Sequence, residues 1–254
     1  MTTKTALITG ASAGIGFATA QRLSELGYQL ILLARRKEKL LALADSLAVD
    51  CHVIACDVNN HEQLETELNH LPSSFKKIDL LVNNAGLALG LATADKTDWD
   101  DWQTMIHTNC MSLAFVTRQI LPGMVERNRG QIINMGSIAG NYAYKGGNVY
   151  GATKAFVDQF SMNLRSDLLG KKVRVTNLVP GLIAETEFSN VRFHGDDQAA
   201  NAVYADCEAL KPQDIADTIA WVASQPSHVN INSLEIMPTC QAPAGLAVDK
   251  TMLS

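Results

Sequence analysis

TALITGASAGIGFATAQRLSELG, residues 5–27, decides the fold. Its first five residues are β-branched or apolar without polar alternation, the pattern of a strand buried on both faces. Glycines follow at Gly10, Gly14 and Gly16, and beyond them the apolar residues recur at helical spacing as far as Gly27. A strand, a glycine-rich turn and an amphipathic helix in that order make a loop suited to phosphate. The glycines allow a tight turn and close helix packing, and the backbone N–H groups along Ala11, Ser12, Ala13 and Ile15 come near a pyrophosphate. The positive end of the following helix faces the anion. The spacing, G-x-x-x-G-x-G, differs from the G-x-G-x-x-G of many dinucleotide folds, but the physics is the same.

The rest of the chain repeats the alternation. Apolar runs at 29–34, 52–56, 79–83, 131–136, 173–179 and 233–237 are separated by amphipathic stretches such as KEKLLALADSLA and HEQLETELNHL. Seven strands alternating with helices predict an α/β fold, a parallel sheet with helices on both faces. No repeat, low-complexity tract or linker divides the 254 residues, so one domain over 1–254 is expected. The main irregular segment, about 184–211, is either a substrate lid or a surface excursion.

A net charge of −5 argues against nucleic acid or an anionic membrane surface as partner. The N-terminus shows no signal-peptide pattern, and no apolar stretch reaches the ~20 residues of a membrane helix. Five scattered cysteines, Cys51, Cys56, Cys110, Cys207 and Cys240, suit free thiols in a reducing cytoplasm. The six histidines lack HExxH or clustered ligand spacing, so no metal site is expected.

The end of the second strand discriminates between cofactors. An NAD site usually carries an acid there for the ribose hydroxyls. This chain instead reads LLARRKEKL, and the guanidinium groups of Arg35 and Arg36 suit the 2′-phosphate of NADP. Lys37 and Lys39 read as solvated charges at a helix start. Asp57, after the third strand and beside Val58, either accepts from an adenine amino group or caps the helix beginning near Asn60. In NNAG, 83–86, the amide of Asn84 can pin neighbouring backbone while Gly86 lets a cofactor approach.

TGASAGIG, NNAG, Asn109 in HTNCM, Ser137 in INMGSIAG, YGATK at 150–154 and PGLIAET at 180–186 together resemble the short-chain dehydrogenase/reductase family. One departure is Ala13, where many NADP-dependent members carry a basic residue. The resemblance implies a single-domain Rossmann fold, cofactor contacts from Pro180, Gly181, Leu182, Ile183 and Thr186, and a catalytic tetrad of Asn109, Ser137, Tyr150 and Lys154.

The chemistry can be argued independently. Oxidising a secondary alcohol needs a base for the hydroxyl proton and a hydride acceptor facing the C–H bond. Tyr150 qualifies if its pKa falls from ~10 towards ~7, a shift of roughly 4 kcal/mol. One cation ~4 Å away at an effective dielectric near 20 supplies about that much. Lys154, one helical turn on, is the candidate, and oxidised nicotinamide adds positive charge. Ser137 would donate to the substrate oxygen, or it is a turn serine or helix cap. Asn109 would hold a water linking Lys154 to solvent.

Over nearly the whole chain, from LVNNAGLALG through PGLIAETEFSNVRFHGDD to HVNINSLEIMP, the similarity sharpens to the NADP-dependent 3-hydroxy acid dehydrogenases, which act on serine and allo-threonine. This implies small 3-hydroxy acids, or semialdehydes in reverse, as substrates, and a homotetramer built on the Tyr150 helix and the helix around 101–127. A short hydroxy acid needs a cation for its carboxylate. Arg192 is the candidate, unless it pairs with Asp196 or Asp197. The alternatives are a 3-oxoacyl carrier-protein reductase, which would show a basic rim, and a non-catalytic NADP(H)-sensing scaffold, which would tolerate loss of Tyr150 or Lys154.

Overall fold

A computed structural model describes residues 3–243. The strands are β1 (Thr5–Thr9), β2 (Gln29–Ala34), β3 (Cys51–Ala55), β4 (Ile78–Asn83), β5 (Gly130–Met135), β6 (Val173–Pro180) and β7 (Ser233–Ile236). They form one parallel sheet in the order β3-β2-β1-β4-β5-β6-β7. This is the single Rossmann-like domain the alternation implies.

The continuous apolar runs have a simple cause, since alternate residues of each strand face opposite layers. Ala6, Ile8, Leu30, Leu32, Leu80, Val82 and Ile133 enter one core, with Leu23 of α1 (Gly14–Glu25), Leu40 of α2 (Lys37–Ser46) and Ile219 of α9 (Pro212–Ser224). Leu7, Ile31, Leu33, Leu81 and Ile132 enter the other, with Leu64 of α3 (His61–Asn69), Val116 of α5 (Leu113–Glu126) and Leu164 of α6 (Asn148–Asp167).

Between β4 and α5 lie α4 (Trp99–Ile106) and a π-helical turn, His107–Ser112, in which Thr108, Asn109 and Cys110 are buried. Asn109 therefore sits in a widened turn, a feature frequent at functional sites, rather than in regular helix. Chain winding reverses between β1 and β4, which opens a crevice at the carboxyl ends of the strands.

Two expectations change. The segment 184–211 contains two short helices, α7 (Phe188–Arg192) and α8 (Asp197–Ala202), the second capped by Asp196, whose carboxylate accepts from the Ala199 N–H. Its ends are drawn together by a bridge of Ile183 with Leu210. The cysteines are not all free thiols. Cys207 and Cys240 are disulfide-bonded with Cα atoms 6.0 Å apart, while Cys51, Cys56 and Cys110 are free. A separation of 33 residues hides that pair from a reading of spacing, because the fold alone brings the two segments together.

Candidate active site

A cleft of about 990 Å³ runs along the carboxyl ends of the strands. Its walls take in Gly10, Ser12, Ala13, Gly14, Ile15, Arg35, Arg36, Asp57, Val58, Asn84 and Gly86, together with Ser137, Tyr150, Lys154, Pro180, Gly181, Leu182, Ile183, Thr186 and Arg192. Ala11, Gly16 and Asn109 stand behind the wall. Ala11 is fully buried, its N–H donating to the Leu33 carbonyl.

Gly16 shows how closely the loop is built. A Cβ there would lie 2.3 Å from the Gly10 carbonyl oxygen and 2.7 Å from Asn84 Nδ2. Asn84 Nδ2 donates to the carbonyls of Thr9 and Gly10, at 2.9 and 3.3 Å, and Thr9 Oγ1 accepts from the N–H groups of Asn84 and Ala85. The turn after β4 thus fixes the turn after β1. With Gly10 and Gly14 in the left-handed region, at φ +69° and +52°, the cradle fits a pyrophosphate.

At the β2 end, Arg36 donates through Nε and Nη2 to Ser12 Oγ, at 3.3 and 3.1 Å. Its two terminal nitrogens also form a fork with the Glu187 carboxylate, each contact 2.8 Å, and Lys39 Nζ lies 3.1 Å from the same carboxylate. Lys39 is therefore engaged across the cleft rather than merely solvated. Asp57 is not the helix cap. Asn60 caps α3, and Asp57 Oδ1 accepts from the Asn59 N–H, which leaves its carboxylate at the cleft wall.

Ser137 follows β5 and fills one of the roles open to it, that of a cap. Its Oγ accepts from the Ala139 N–H at 3.2 Å, capping a 3₁₀ turn, and it lines the cleft together with Tyr150. Tyr150, near the start of α6, is 7% exposed. Phe188 of α7 tilts against its ring at 5.8 Å, and the Arg192 guanidinium carbon lies 5.6 Å from the ring centroid.

Arg192 does not pair with Asp196 or Asp197. Its Nη2 donates to the Tyr144 hydroxyl at 2.8 Å, its Nε donates to the Gly90 carbonyl at 3.2 Å, and its own carbonyl accepts from the Gly90 N–H. Asp197 accepts instead from Asn190.

Lys154 is buried one turn beyond Tyr150, with Nζ 5.9 Å from the tyrosine ring centroid and donating to the Met135 carbonyl at 2.8 Å. The Asn109 side chain is anchored at both ends of its amide. Nδ2 donates to the Leu87 carbonyl and Thr153 Oγ1, and Oδ1 accepts from the Leu87 N–H. Both amide protons are taken, so this side chain ties the NNAG turn to α6.

Burial dominates the titration of the pair. It pushes Tyr150 up to about 12, against the downward pull of the Ser137 hydroxyl and the Arg192 charge, and it lowers Lys154 to about 8. A further downward pull on the phenol is expected from the charge of oxidised nicotinamide when it is bound.

Reading by spacing passes over Tyr144, Thr153 and Glu187. The only signal is local: Glu187 directly follows the PGLIAET motif, but nothing in the sequence says that it faces Arg36.

Such a cleft suits hydride exchange between a dinucleotide and a small alcohol or carbonyl. The chain belongs to the short-chain dehydrogenase family, whose profile, described as short chain dehydrogenase, matches residues 4–197. It is 54% identical over 245 residues to NADP-dependent 3-hydroxy acid dehydrogenase YdfG of Salmonella typhi, a match covering 96% of this chain and 99% of that protein. It is 51% identical over 244 residues to serine 3-dehydrogenase of Rhizobium radiobacter, covering 96% and 97% of the two chains. A solved structure of serine dehydrogenase, in its closed form complexed with NADP+, superposes with a TM-score of 0.96 at 51% identity, covering 97% of this chain and all of that one.

Proposed function

We propose that the protein is an NADP-dependent dehydrogenase of small 3-hydroxy acids, serine foremost, with allo-threonine, 3-hydroxyisobutyrate and 3-hydroxypropionate as related substrates and semialdehyde reduction as the reverse reaction. The observation that carries the reading is the placement of the Arg192 guanidinium over Tyr150, beside Ser137. A cation held next to the proton-transfer group suits a substrate whose carboxylate and hydroxyl are only a few bonds apart. Relatives that share about half of its residues bear names of this activity.

The phosphate loop, Arg35 and Arg36 would hold NADP, which when bound supplies the hydride acceptor and, in oxidised form, a positive charge. Asp57 and Val58 would meet its adenine, and Pro180 to Ile183 with Thr186 would lie along its nicotinamide half. Ser137 Oγ steadies the substrate oxygen, and Tyr150 Oη takes the hydroxyl proton as the C–H hydride departs. Lys154 holds positive charge beneath the tyrosine, and Asn109 positions the Gly86 turn and α6 around it. The segment 184–211 would act as a lid, since α7 brings Phe188 and Arg192 over Tyr150.

The direct test is a panel of short 3-hydroxy acids and semialdehydes against long acyl thioesters, with NADP(H) and NAD(H), followed by nicotinamide absorbance. Activity confined to acyl thioesters would sink the substrate assignment. Arg192→Ala is expected to raise KM for serine about tenfold or more, the loss of one charge-assisted interaction, with a smaller change in kcat. An unchanged KM would remove Arg192 from the carboxylate.

We also infer a homotetramer. Met111, Phe156 and Met162 leave large apolar side chains exposed on α6 and on the π turn, and Phe156 stacks on Phe160 at 5.7 Å. Among the described residues no helix is long and apolar enough to cross a membrane. A cytoplasmic setting is supported by the free thiols of Cys51, Cys56 and Cys110; the Cys207–Cys240 bond does not favour it.

A further inference from the structure

Arg36 has two working faces, and both are engaged. Nε and Nη2 address Ser12 Oγ on the phosphate loop, and the terminal fork addresses Glu187 on the lid. Lys39 adds a second cation to the same carboxylate. Glu187 immediately precedes α7, which carries Phe188 and Arg192 onto Tyr150. One carboxylate therefore joins the cofactor end of the cleft to the element that covers the substrate end.

We propose that Glu187 is a specificity-determining residue for the cofactor, an internal anion that shares Arg36 and Lys39 with the 2′-phosphate and so weakens NADP(H) binding without touching NAD(H). The inference rests on the place given above to Arg36 at the 2′-phosphate. Two geometries are open to that phosphate, and both lead to the same sign. If it takes the terminal fork of Arg36, it must displace the carboxylate, because a bidentate fork serves one oxyanion at a time. If it enters between Arg36 and Ser12, it stands beside a like charge that has already neutralised one of the two cations.

The contact is half exposed, with Arg36, Lys39 and Glu187 side chains at 40%, 52% and 50% of full accessibility, so solvent screens it and the effect is moderate. The chemical sense of such an arrangement is exchange. When the phosphate leaves, Glu187 stands ready to satisfy the guanidinium, and the oxidised or reduced cofactor is released from a site that does not have to strand a bare cation.

The test is equilibrium titration of the full-length protein with NADPH and with NADH, read by nicotinamide fluorescence, for the wild type, Glu187→Gln and Arg36→Ala. Glu187→Gln is expected to lower the Kd for NADPH by about two- to fivefold, the size of one exposed ion-pair contribution, and to leave the Kd for NADH unchanged. Arg36→Ala is expected to weaken NADPH. If Glu187→Gln binds NADPH equally or more weakly, the carboxylate orients Arg36 instead of competing for it, and the proposal is overturned. Equal tightening of NADH would also overturn it, since the effect would then act through the lid rather than through the phosphate. Should Arg36→Ala leave NADPH binding intact, the failure lies in the placement of Arg36; should it weaken NADPH while Glu187→Gln changes nothing, only the inference about Glu187 fails.

Discussion

Tyr150→Phe is expected to fold, to bind NADPH as tightly as the wild type and to oxidise serine about 10²- to 10⁴-fold more slowly, the range attributed to a positioned acid–base group. The substitution removes one oxygen and leaves the ring against Phe188 and beneath Arg192. Ser137 keeps its bond from the Ala139 N–H, so the turn that carries it has no reason to move. Rate loss without binding loss then isolates proton transfer from packing.

The pH profile carries a second signature with a definite sign. As a base for alcohol oxidation Tyr150 must be deprotonated, whereas as an acid for carbonyl reduction it must be protonated. Burial holds the phenol up to about 12, while Ser137, Arg192 and the charge of oxidised nicotinamide pull it down. Oxidation should therefore climb as pH rises through the alkaline range, and reduction should fall over the same interval. The phenylalanine variant should lose this limb. A variant that keeps more than a tenth of wild-type kcat would take Tyr150 out of the chemistry.

The double substitution Arg35→Ala with Arg36→Ala is expected to weaken NADPH by about ten- to a hundredfold and to leave NADH nearly untouched. Hydrogen bonds to charged groups contribute about 1.5–3 kcal/mol, and each 1.4 kcal/mol is a factor of ten. Ala13 offers no charge to the anion, so the discrimination is expected to rest on the β2 end, with Ser12 and the neighbouring Lys39 beside it. Titration with both cofactors measures it. Parallel losses for NADPH and NADH would point to a disturbed loop rather than to lost phosphate contacts.

What could be read in advance follows a physical division. The alternation of apolar runs with helical periods depends on local side-chain direction, and both the strands and the two cores obey it. Gly10, Gly14, Ser137, Tyr150 and Lys154 are legible because each sits at a fixed offset from a strand or helix end. Contacts set by tertiary approach are not. No spacing tells that Glu187 meets Arg36 across 151 residues, that Arg192 bonds to Tyr144 rather than to its near neighbours Asp196 and Asp197, or that Cys207 reaches Cys240. The burial of Tyr150 is hidden for a related reason: proximity along a helix fixes which groups are neighbours but says nothing of how much water has been excluded from between them.

All seven strands point the same way, so the phosphate cradle, Arg36, Asp57, the NNAG turn, Ser137 and the Thr186 segment hang from one rim of the sheet. The turns at the opposite rim, around Gly27, Lys77, Arg129 and Lys171, contribute none of the residues that line the cleft. The molecule thus separates its obligations in space. One edge is bound by chemistry and admits little drift, while the other answers only to the chain reversals it makes, and it is there that evolution, or an engineer attaching a tag or splicing in a new segment, finds latitude.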